Sequence, residues 1–275
     1  MSYNFHFIKT CNAKCHFCFA QFHDVKQQLS FSDQKKILIT LREHNGHKIN
    51  FVGGEPTLYS KLPDLIIFAK ELGFVTSIVT NGFRLEKVLE KAGHCLDWVG
   101  LSIDSANDAT NRKLGRSREG EDYAMKIAYL ATLCHQKGIA LKLNSVVTKL
   151  NWQEDMSDYV FKLRPTRWKI FQVLPIENQN SLTKGDLEIS QEQFRKFIDQ
   201  HQRLSKLGIT LVPEDNDAMT NSYAMIDPLG RFMGNSNQIQ IYSDAILDVG
   251  VQVALQQIGF QHDKLIARGG IYEWQ

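Results

Sequence analysis

Three features are scarce in this sequence: an excess of charge of one sign, long apolar runs and paired cysteines. Its 32 Lys and Arg residues nearly match its 30 Asp and Glu residues, which gives a formal net charge of +2. That balance argues against a DNA or RNA polymer as a partner. No apolar stretch approaches the roughly 20 residues of a membrane span, and the start MSYNFHFIKT does not resemble a signal peptide. We therefore expect a cytoplasmic protein without membrane attachment.

The cysteines are too few and too unevenly spaced for a disulfide framework. Cys95 and Cys134 stand alone, and the other three lie together in the stretch CNAKCHFC. This usage is typical of a reducing compartment. With 43% hydrophobic residues and six prolines, the 275 residues can bury a sizeable core. We expect one large domain that is monomeric.

Short β-rich runs alternate with helical patterns in the first part of the chain. Repeated βα order predicts a parallel sheet with right-handed crossovers, either open or curled into a barrel. After a polar stretch, one amphipathic helix near 190–206 and short irregular pieces complete the sequence. We interpret residues 1–175 as the barrel core and residues 176–275 as a C-terminal extension packed on it. The predicted strands are 4–8, 48–54, 76–82, 98–104, 140–148 and 167–175, with helices at 32–44, 62–73 and 121–138.

Cys11, Cys15 and Cys18 offer three thiolates without an obvious fourth ligand. A structural zinc site usually fills four positions, and only His16 and His23 could complete one here. A cubane iron–sulfur cluster held by three cysteines instead leaves one iron open for another ligand. The cysteines directly follow the first predicted strand, where the active-site loops of barrels lie. The pattern favours the cluster, and a non-catalytic metal-binding module is the alternative from another functional class.

Cationic residues alternate along two of the predicted strands. Lys142 and Asn144 share one face of LKLNSVV, and Arg167 and Lys169 share one face of RWKIF. If the intervening apolar residues pack against helices, the cations point into the barrel, where buried charge implies an anionic guest. Three permanent cations suit a triphosphate. The alternative is an edge strand whose polar face lies in water.

The spacing CxxxCxFC resembles the signature of the radical S-adenosylmethionine superfamily. By that resemblance, the three clustered cysteines bind a 4Fe–4S cluster whose open iron chelates the methionine amino and carboxylate groups of S-adenosylmethionine. Cleavage of this cofactor then yields a 5′-deoxyadenosyl radical. The glutamate of GGEP would accept the methionine amine. The resemblance implies these S-adenosylmethionine ligands: Gly53, Gly54, Glu55, Asn81, Ser102 and Arg116.

Several further stretches resemble the viperin family of antiviral radical enzymes. They are NFHF, KINFVGGEP, KLNSVV, RWKIFQ, VPEDN, SYAMID, ILDVG and RGGIYEW, and they cover nearly the whole chain. The resemblance implies a partial (β/α)6 barrel with a C-terminal extension. It also implies conversion of a ribonucleoside triphosphate, CTP first and UTP or GTP otherwise, into its 3′-deoxy-3′,4′-didehydro analogue. Such a product terminates chains made by viral polymerases, and the reaction needs an electron donor such as a flavodoxin or ferredoxin.

The same resemblance assigns residues to the substrate. Catalysis is assigned to Tyr223 and Lys48, although a half-buried core tyrosine is the alternative for Tyr223. Two positions depart from the family pattern. Val52 replaces a serine before GGEP, so a hydroxyl contact is lost, and the segment 234–245 replaces a lysine-rich one, which leaves one phosphate contact and the base preference open. The implied substrate ligands are Asn4, Lys48, Lys142, Asn144, Arg167, Lys169 and Tyr223.

A different radical enzyme on the same scaffold is the other alternative. A GTP cyclase or a peptide-modifying enzyme usually carries additional cysteines for auxiliary clusters in its C-terminal part. This chain has no cysteine after Cys134, which argues against both.

Overall fold

A ten-stranded sheet organises the computed structural model, which describes residues 1–177, 179–180, 185–236 and 238–270. The end of the RGGIYEW stretch, residues 271–274, and residue 275 lie outside the described residues. Along the sheet, the strands follow the order β10-β9-β8-β1-β2-β3-β4-β5-β6-β7. They are β1 (Ser2–His6), β2 (Lys48–Val52), β3 (Val75–Thr80), β4 (Trp98–Ser102), β5 (Ala140–Val147), β6 (Arg167–Gln172), β7 (Thr210–Glu214), β8 (Ala224–Ile226), β9 (Arg231–Ser236) and β10 (Ile239–Ala245).

Helices connect the parallel strands and cover the outer face of the sheet. The side chain of Ser30 caps the first helix by accepting from the backbone N–H of Asp33, and Ser190 and Gln193 form a capping box before the seventh. No helix of the described residues is long and apolar enough to cross a membrane. The helices are α1 (Phe31–Glu43), α2 (Leu62–Glu71), α3 (Leu85–Ala92), α4 (Asp108–Lys113), α5 (Tyr123–Gln136), α6 (Ser157–Leu163), α7 (Gln191–His201), α8 (Asn216–Met219), α9 (Ile246–Val249), α10 (Val251–Gln257) and α11 (His262–Ala267).

The six predicted strands are present as β1 to β6, and the predicted helices are present as α1, α2, α5 and α7. The strands from β1 to β7 pair in parallel with their neighbours, as the βα order predicted. The prediction of irregular pieces near the C-terminus was wrong, because β7 to β10 lie there. β7 contains Pro213 at an edge of the sheet, and β8 has only three residues. Neither segment therefore has the regular alternation of apolar and polar residues by which a strand is predicted from sequence.

The sheet curls into an open barrel. Lys169 in β6 donates a hydrogen bond to the hydroxyl of Tyr223, which precedes β8, at 2.6 Å. These strands are far apart in the sheet order, so the contact requires strong curvature. In the part of the chain that is described, β7 and β10 form two edges and the barrel does not close. The strands after residue 175 belong to this same sheet, and the boundary at residue 175 stays a prediction.

Alternation along the strands separates the core from the barrel interior. The predicted outward residues Leu143 and Trp168 are fully buried in the hydrophobic core under the helices. Their neighbours Lys142, Asn144 and Lys169 face the interior, as the period of two requires. The fold therefore places a polar lining inside a barrel whose outer wall is apolar.

Candidate active site

One pocket inside the curled sheet brings together all the residues predicted for the site. The clustered cysteines and the GGEP loop lie at the carboxyl ends of the strands. The basic residues lie at the opposite end, within the first three residues of β2, β5 and β6. Proximity alone leaves the individual roles as predictions. The pocket is lined by, among others, Asn4, Cys11, Cys15, Cys18, Lys48, Gly53, Gly54, Glu55, Asn81, Ser102, Arg116, Lys142, Asn144, Arg167, Lys169 and Tyr223.

The cysteine loop is held by the segment after α4. The backbone N–H of Lys14 donates to the carbonyl of Gly115 at 3.1 Å, and that of His16 donates to Leu114 at 3.0 Å. A Cβ atom on Gly115 would lie less than 3.0 Å from the carbonyl oxygen of Lys14, and the backbone φ of Gly115 is +74°. Only glycine fits such a position without strain. The loop that carries the thiols is therefore held in place by hydrogen bonds to the backbone of residues 114–115.

The three thiols are the candidate ligands of an iron–sulfur cluster. Among the described residues, no group of three or more His, Cys, Asp or Glu side chains is placed to hold a single metal ion. The backbone N–H of Ala13 points at the sulfur of Cys11 at 3.4 Å, a contact typical of cluster ligands. Burial raises the pKa of the Cys15 thiol to about 12, whereas the nearby charge of Arg116 lowers it. If Cys15 holds a cluster, the charge of the iron would favour its thiolate against this desolvation.

The glycines of GGEP allow this loop to approach the backbone of residues 8–10 closely. Cβ atoms on Gly53 and Gly54 would lie less than 3.0 Å from the backbone oxygens of Ile8 and Thr10. The backbone N–H of Gly54 donates to Ile8 at 2.6 Å, so this loop is bonded to the segment that leads into the cysteines. The two glycines thus couple the GGEP loop to the cysteine loop.

Glu55 is the polar centre at the ends of β2 and β3. Its carboxylate is 1% exposed and accepts hydrogen bonds from the backbone and hydroxyl of Thr57, the hydroxyl of Thr80 and the backbone N–H of Asn81. Burial raises the pKa of Glu55, and these hydrogen bonds oppose the rise. One oxygen, Oε2, accepts only the bond from Asn81 among those described, which leaves acceptor capacity for an amine.

Arg116 has a partner that the sequence analysis missed. Its Nε donates to the fully buried carboxylate of Asp104 at 2.6 Å, and its guanidinium lies 5.3 Å from the centre of the Phe17 ring. Asp104 also accepts from the backbone N–H of Val146. Asp104 stands two residues after Ser102 in LSIDS, so an acidic residue just past the end of β4 was the available signal.

The basic end of the pocket is deeply buried. Lys48 is 2% exposed and Lys142 is 5% exposed, and their ammonium groups lie 5.0 and 5.7 Å from the centre of the Trp98 ring. Lys142 donates to the hydroxyl of Ser77 at 3.3 Å. Arg167, paired with Lys142 in the register of β5 and β6, donates to the carbonyl of Gly269 at 3.2 Å.

Burial makes the charges of the two predicted lysine cations, Lys142 and Lys169, depend on their surroundings, and Lys48 beside them is affected in the same way. Desolvation, followed by repulsion from neighbouring cations, lowers the pKa of Lys48 to about 5 and that of Lys142 to about 7. The pKa of Lys169 falls to about 8, because desolvation outweighs the attraction of Glu214. Arginine keeps its charge in such surroundings. An anion bound at this end of the pocket would favour the protonated forms of Lys48 and Lys142.

A second group missed by the sequence analysis surrounds Lys169. The ammonium of Lys169 lies 2.7 Å from the fully buried carboxylate of Glu214 and 2.6 Å from the hydroxyl of Tyr223. Tyr223 is half-buried and faces the pocket, while Arg268 lies over its ring at 3.6 Å. Glu214 and Arg268 stand in VPEDN and RGGIYEW, so the signal was present in stretches already noted.

The two departures noted in the sequence both occur at the pocket. Val52 lines it beside the GGEP loop, where it offers no hydroxyl. From the segment 234–245, the neutral residues Gly234, Asn235 and Gln240 line the wall formed by β9 and β10. This wall therefore contributes amides rather than cations.

Comparison with known proteins gives one matching family model and several relatives that are similar over the whole chain. A family model described as the radical SAM superfamily matches residues 5–157. The chain is 44% identical over 283 residues to an S-adenosylmethionine-dependent nucleotide dehydratase of Flammeovirga pacifica, covering 100% of this chain and 96% of the relative. It is 38% identical to the S-adenosylmethionine-dependent nucleotide dehydratase RSAD2 of Siniperca chuatsi, covering 99% and 79% of the two chains.

A solved structure supports the fold alone. The crystal structure of Streptococcus suis SuiB bound to S-adenosylmethionine superposes with a TM-score of 0.70 at 17% identity, covering 99% of this chain and 68% of that chain. The curled, mostly parallel sheet is thus shared by proteins of very different sequence.

Proposed function

Because this chain belongs to the radical S-adenosylmethionine superfamily and, within it, to the viperin-type nucleotide dehydratases, we propose that it removes water from a ribonucleoside triphosphate. Enzymes of this superfamily use a 4Fe–4S cluster and S-adenosylmethionine. The product is the 3′-deoxy-3′,4′-didehydro nucleotide, with CTP as the first candidate substrate and UTP or GTP as the others. Release of this chain terminator would serve antiviral defence in the cytoplasm.

The observation that carries the proposal is a single pocket with thiols at one end and buried cations at the other. Cys11, Cys15 and Cys18 line the end beside the GGEP loop, whereas Lys142 and Arg167 line the strand starts. A radical formed at the first end can reach a sugar only if the phosphates are fixed beyond it. Positioning reacting atoms within about 3 to 3.5 Å supplies much of the rate in such a reaction.

The cofactor end of the pocket fits the two groups that the family uses. The three cysteines would hold the cluster, and Gly53, Gly54, Glu55, Asn81, Ser102 and Arg116 would surround S-adenosylmethionine. Bound together, these cofactors supply a carbon radical that removes one hydrogen atom from the substrate. Arg116 would use its remaining N–H groups to bind a carboxylate, since its Nε already donates to Asp104.

The substrate end of the pocket would hold the nucleotide through ionic contacts to its phosphates and hydrogen bonds from asparagine side chains. Lys142, Arg167 and Lys169 would bind the phosphates, while Asn4 and Asn144 would lie around the sugar and base. The side-chain oxygen of Asn144 is buried and has no hydrogen-bond partner within the described residues. A ribose hydroxyl or a base amine could donate to it, because a buried acceptor without a partner is costly.

Two residues would handle protons at the sugar. Tyr223 donates its hydroxyl proton toward Glu214 in the present arrangement and lines the same wall as Lys169. It would protonate the 3′-hydroxyl as that group leaves, giving water. Lys48 is the second candidate, because bound phosphates would raise its pKa from about 5 and restore its charge. A low-potential electron carrier such as a flavodoxin or ferredoxin would supply the electrons.

An anaerobic assay with C4′-deuterated nucleotides tests the proposal. The reconstituted enzyme is incubated with labelled CTP, UTP, GTP or ATP, and the masses of the products are measured. The true substrate should lose one water and pass its deuterium into 5′-deoxyadenosine. Cys15→Ala should form neither product, since it removes a cluster ligand. Retention of the label, or a product that keeps its oxygen and gains a ring, would favour a cyclase instead.

A further inference from the structure

Glu214 is buried among residues that line the pocket, although it does not line the pocket itself. Its carboxylate is 0% exposed at the end of β7, the strand next to β6. It accepts the hydroxyl hydrogen of Tyr223, pairs with Lys169 at 2.7 Å and lies 3.4 Å from the guanidinium of Arg268. An isolated carboxylate would be costly in such surroundings, and these three partners stabilise it.

The four side chains form one connected group. The ammonium of Lys169 donates to both Tyr223 and Glu214, so it links the phenol and the carboxylate. Arg268 stacks on the Tyr223 ring and also donates to the carbonyl of Ser222 at 3.0 Å, which fixes the guanidinium against the phenol. The side-by-side placement of Lys169 and the Tyr223 hydroxyl therefore depends on this carboxylate, whereas Arg268 is also held by Ser222.

We propose that Glu214 is a positioning residue that holds the Tyr223 hydroxyl and the Lys169 ammonium side by side at the sugar. Without this carboxylate, Lys169 and Arg268 would turn toward the triphosphate, because phosphate is the strongest anion in the pocket. Glu214 thus keeps Lys169 beside the reacting carbons of the sugar, and Lys142 and Arg167 bind the phosphates. This inference rests on the proposed dehydration and refines the role of Lys169 within it.

The proton transfer that this arrangement supports is balanced. As the C3′–O bond of the C4′ radical breaks, the oxygen leaves with the bonding pair and takes the proton of the Tyr223 hydroxyl, forming water. The phenol O–H turns about its C–O bond from Glu214 to reach that oxygen. Lys169 then returns a proton to the phenolate and is reprotonated from solvent. One electron from the low-potential carrier neutralises the remaining radical cation and completes the double bond.

The charge of Lys169 depends on the groups that face it. Tyr223 and Glu214 contact its ammonium, and Arg268 and Arg167 repel it. Because Glu214 raises the pKa of Lys169 against desolvation, its removal should make Lys169 lose its proton at lower pH. A loss of packing at this position would not shift a pH profile in this way.

Glu214→Gln tests the inference in the reconstituted enzyme. The variant should cleave S-adenosylmethionine at the normal rate but form at least about tenfold less dehydrated nucleotide per 5′-deoxyadenosine. KM for the nucleotide should change by less than about threefold while kcat for dehydration falls. The alkaline limb of the pH profile should move to lower pH. Glu214→Asp, which keeps the charge, should restore part of the coupling.

Controls separate this inference from misfolding and from the proposed function. Glu154→Gln removes another carboxylate, one that accepts from Ser105 and Ala106 outside the pocket, and it should leave the coupling unchanged. Tyr223→Phe should show the same uncoupling, and the double variant with Glu214→Gln should be no worse than either single variant.

The outcomes are distinguishable. Normal coupling and an unchanged pH profile in Glu214→Gln would overturn the inference. If that variant fails to fold in a thermal melt, Glu214→Asp and Tyr223→Phe decide it, and full coupling in both overturns it. Failure of the unaltered enzyme to dehydrate any ribonucleotide would instead overturn the proposed function.

Discussion

At the residue scale, burial has its largest consequence at the lysines of the pocket. Lys48 and Lys142 are held with pKa values of about 5 and about 7, because they are desolvated and lie near other cations. A free amine at this position costs less than a buried ammonium without an anion. Phosphate bound beside these lysines would therefore raise their pKa values, so that protons are taken up together with the anion.

The first prediction is a pH dependence of nucleotide affinity. Phosphate favours the charged form of Lys142, so binding takes up a proton and affinity falls as pH rises through the Lys142 pKa of about 7. This lysine contributes a loss of up to about tenfold per pH unit above its pKa. Calorimetry in buffers of different ionisation enthalpy, from about pH 6 to about pH 9, measures the proton uptake. Lys142→Met should reduce the slope, and an affinity that is flat across this range would contradict the prediction.

The second prediction separates phosphate contacts from contacts to the rest of the substrate. Arg167→Gln should weaken triphosphate binding by about 10- to 100-fold, since a charge-assisted hydrogen bond contributes about 1.5 to 3 kcal/mol. Binding of the corresponding nucleoside should change little. Lys162→Gln, on the exposed side of α6, is the matched control and should affect neither ligand. An equal loss for triphosphate and nucleoside would indicate general damage or contacts with the base.

At the scale of elements, the ends of β1 and β2 act as one unit. The GGEP loop after β2 is bonded to the segment Ile8–Thr10 after β1, directly before the first cysteine. The parallel pairing of the two strands places both loops at the same edge of the sheet. The geometry of the thiols is therefore set partly by glycines that lie about forty residues away in the sequence.

The third prediction concerns this unit. Gly54→Ala places a Cβ less than 3.0 Å from the carbonyl of Thr10, so the loops must separate. Overpacking of this kind costs about 1 to 3 kcal/mol. The variant should melt at a lower temperature and incorporate less iron on reconstitution. Gly93→Ala is the control, because the nearest atom to its Cβ is 3.5 Å away. Iron incorporation equal to that of the unaltered protein would show that the loops do not need this contact.

At the scale of the whole molecule, the C-terminal residues complete the sheet rather than form a separate core. β8 pairs in parallel with β1, and β9 and β10 extend the sheet beyond it. α9 and α10 pack against β10, which joins this region to the wall of the pocket. The first strand of the chain is thus an interior strand only because the last quarter of the chain covers its edge.

The fourth prediction follows from that arrangement. A fragment that ends at residue 207 keeps α7 but lacks β7 to β10, so it exposes the edge of β1. An uncovered interior strand presents unpaired backbone groups and promotes association. The fragment should elute as aggregates in size-exclusion chromatography and show no cooperative melt. A monomeric fragment with a sharp transition would instead show that residues 1–207 fold without β7 to β10.

The sequence by itself determined the parallel sheet, the position of the thiols and the face that the cations occupy. These features depend on local signals: a period of two in β5 and β6, a repeated βα order and a short cysteine spacing. The relatives confirm the family that these motifs indicated. Local pattern was sufficient because each signal lies within one element or one turn.

Only the tertiary structure decided which residues form ion pairs and which form hydrogen bonds through a shared proton. Glu214 is 45 residues from Lys169 in the sequence, and Asp104 lies 12 residues from Arg116, yet each pair is in direct contact. The lysine pKa values likewise depend on how many cations the curled sheet brings together. Desolvation and pairing act through space, so no pattern along the chain could give their balance.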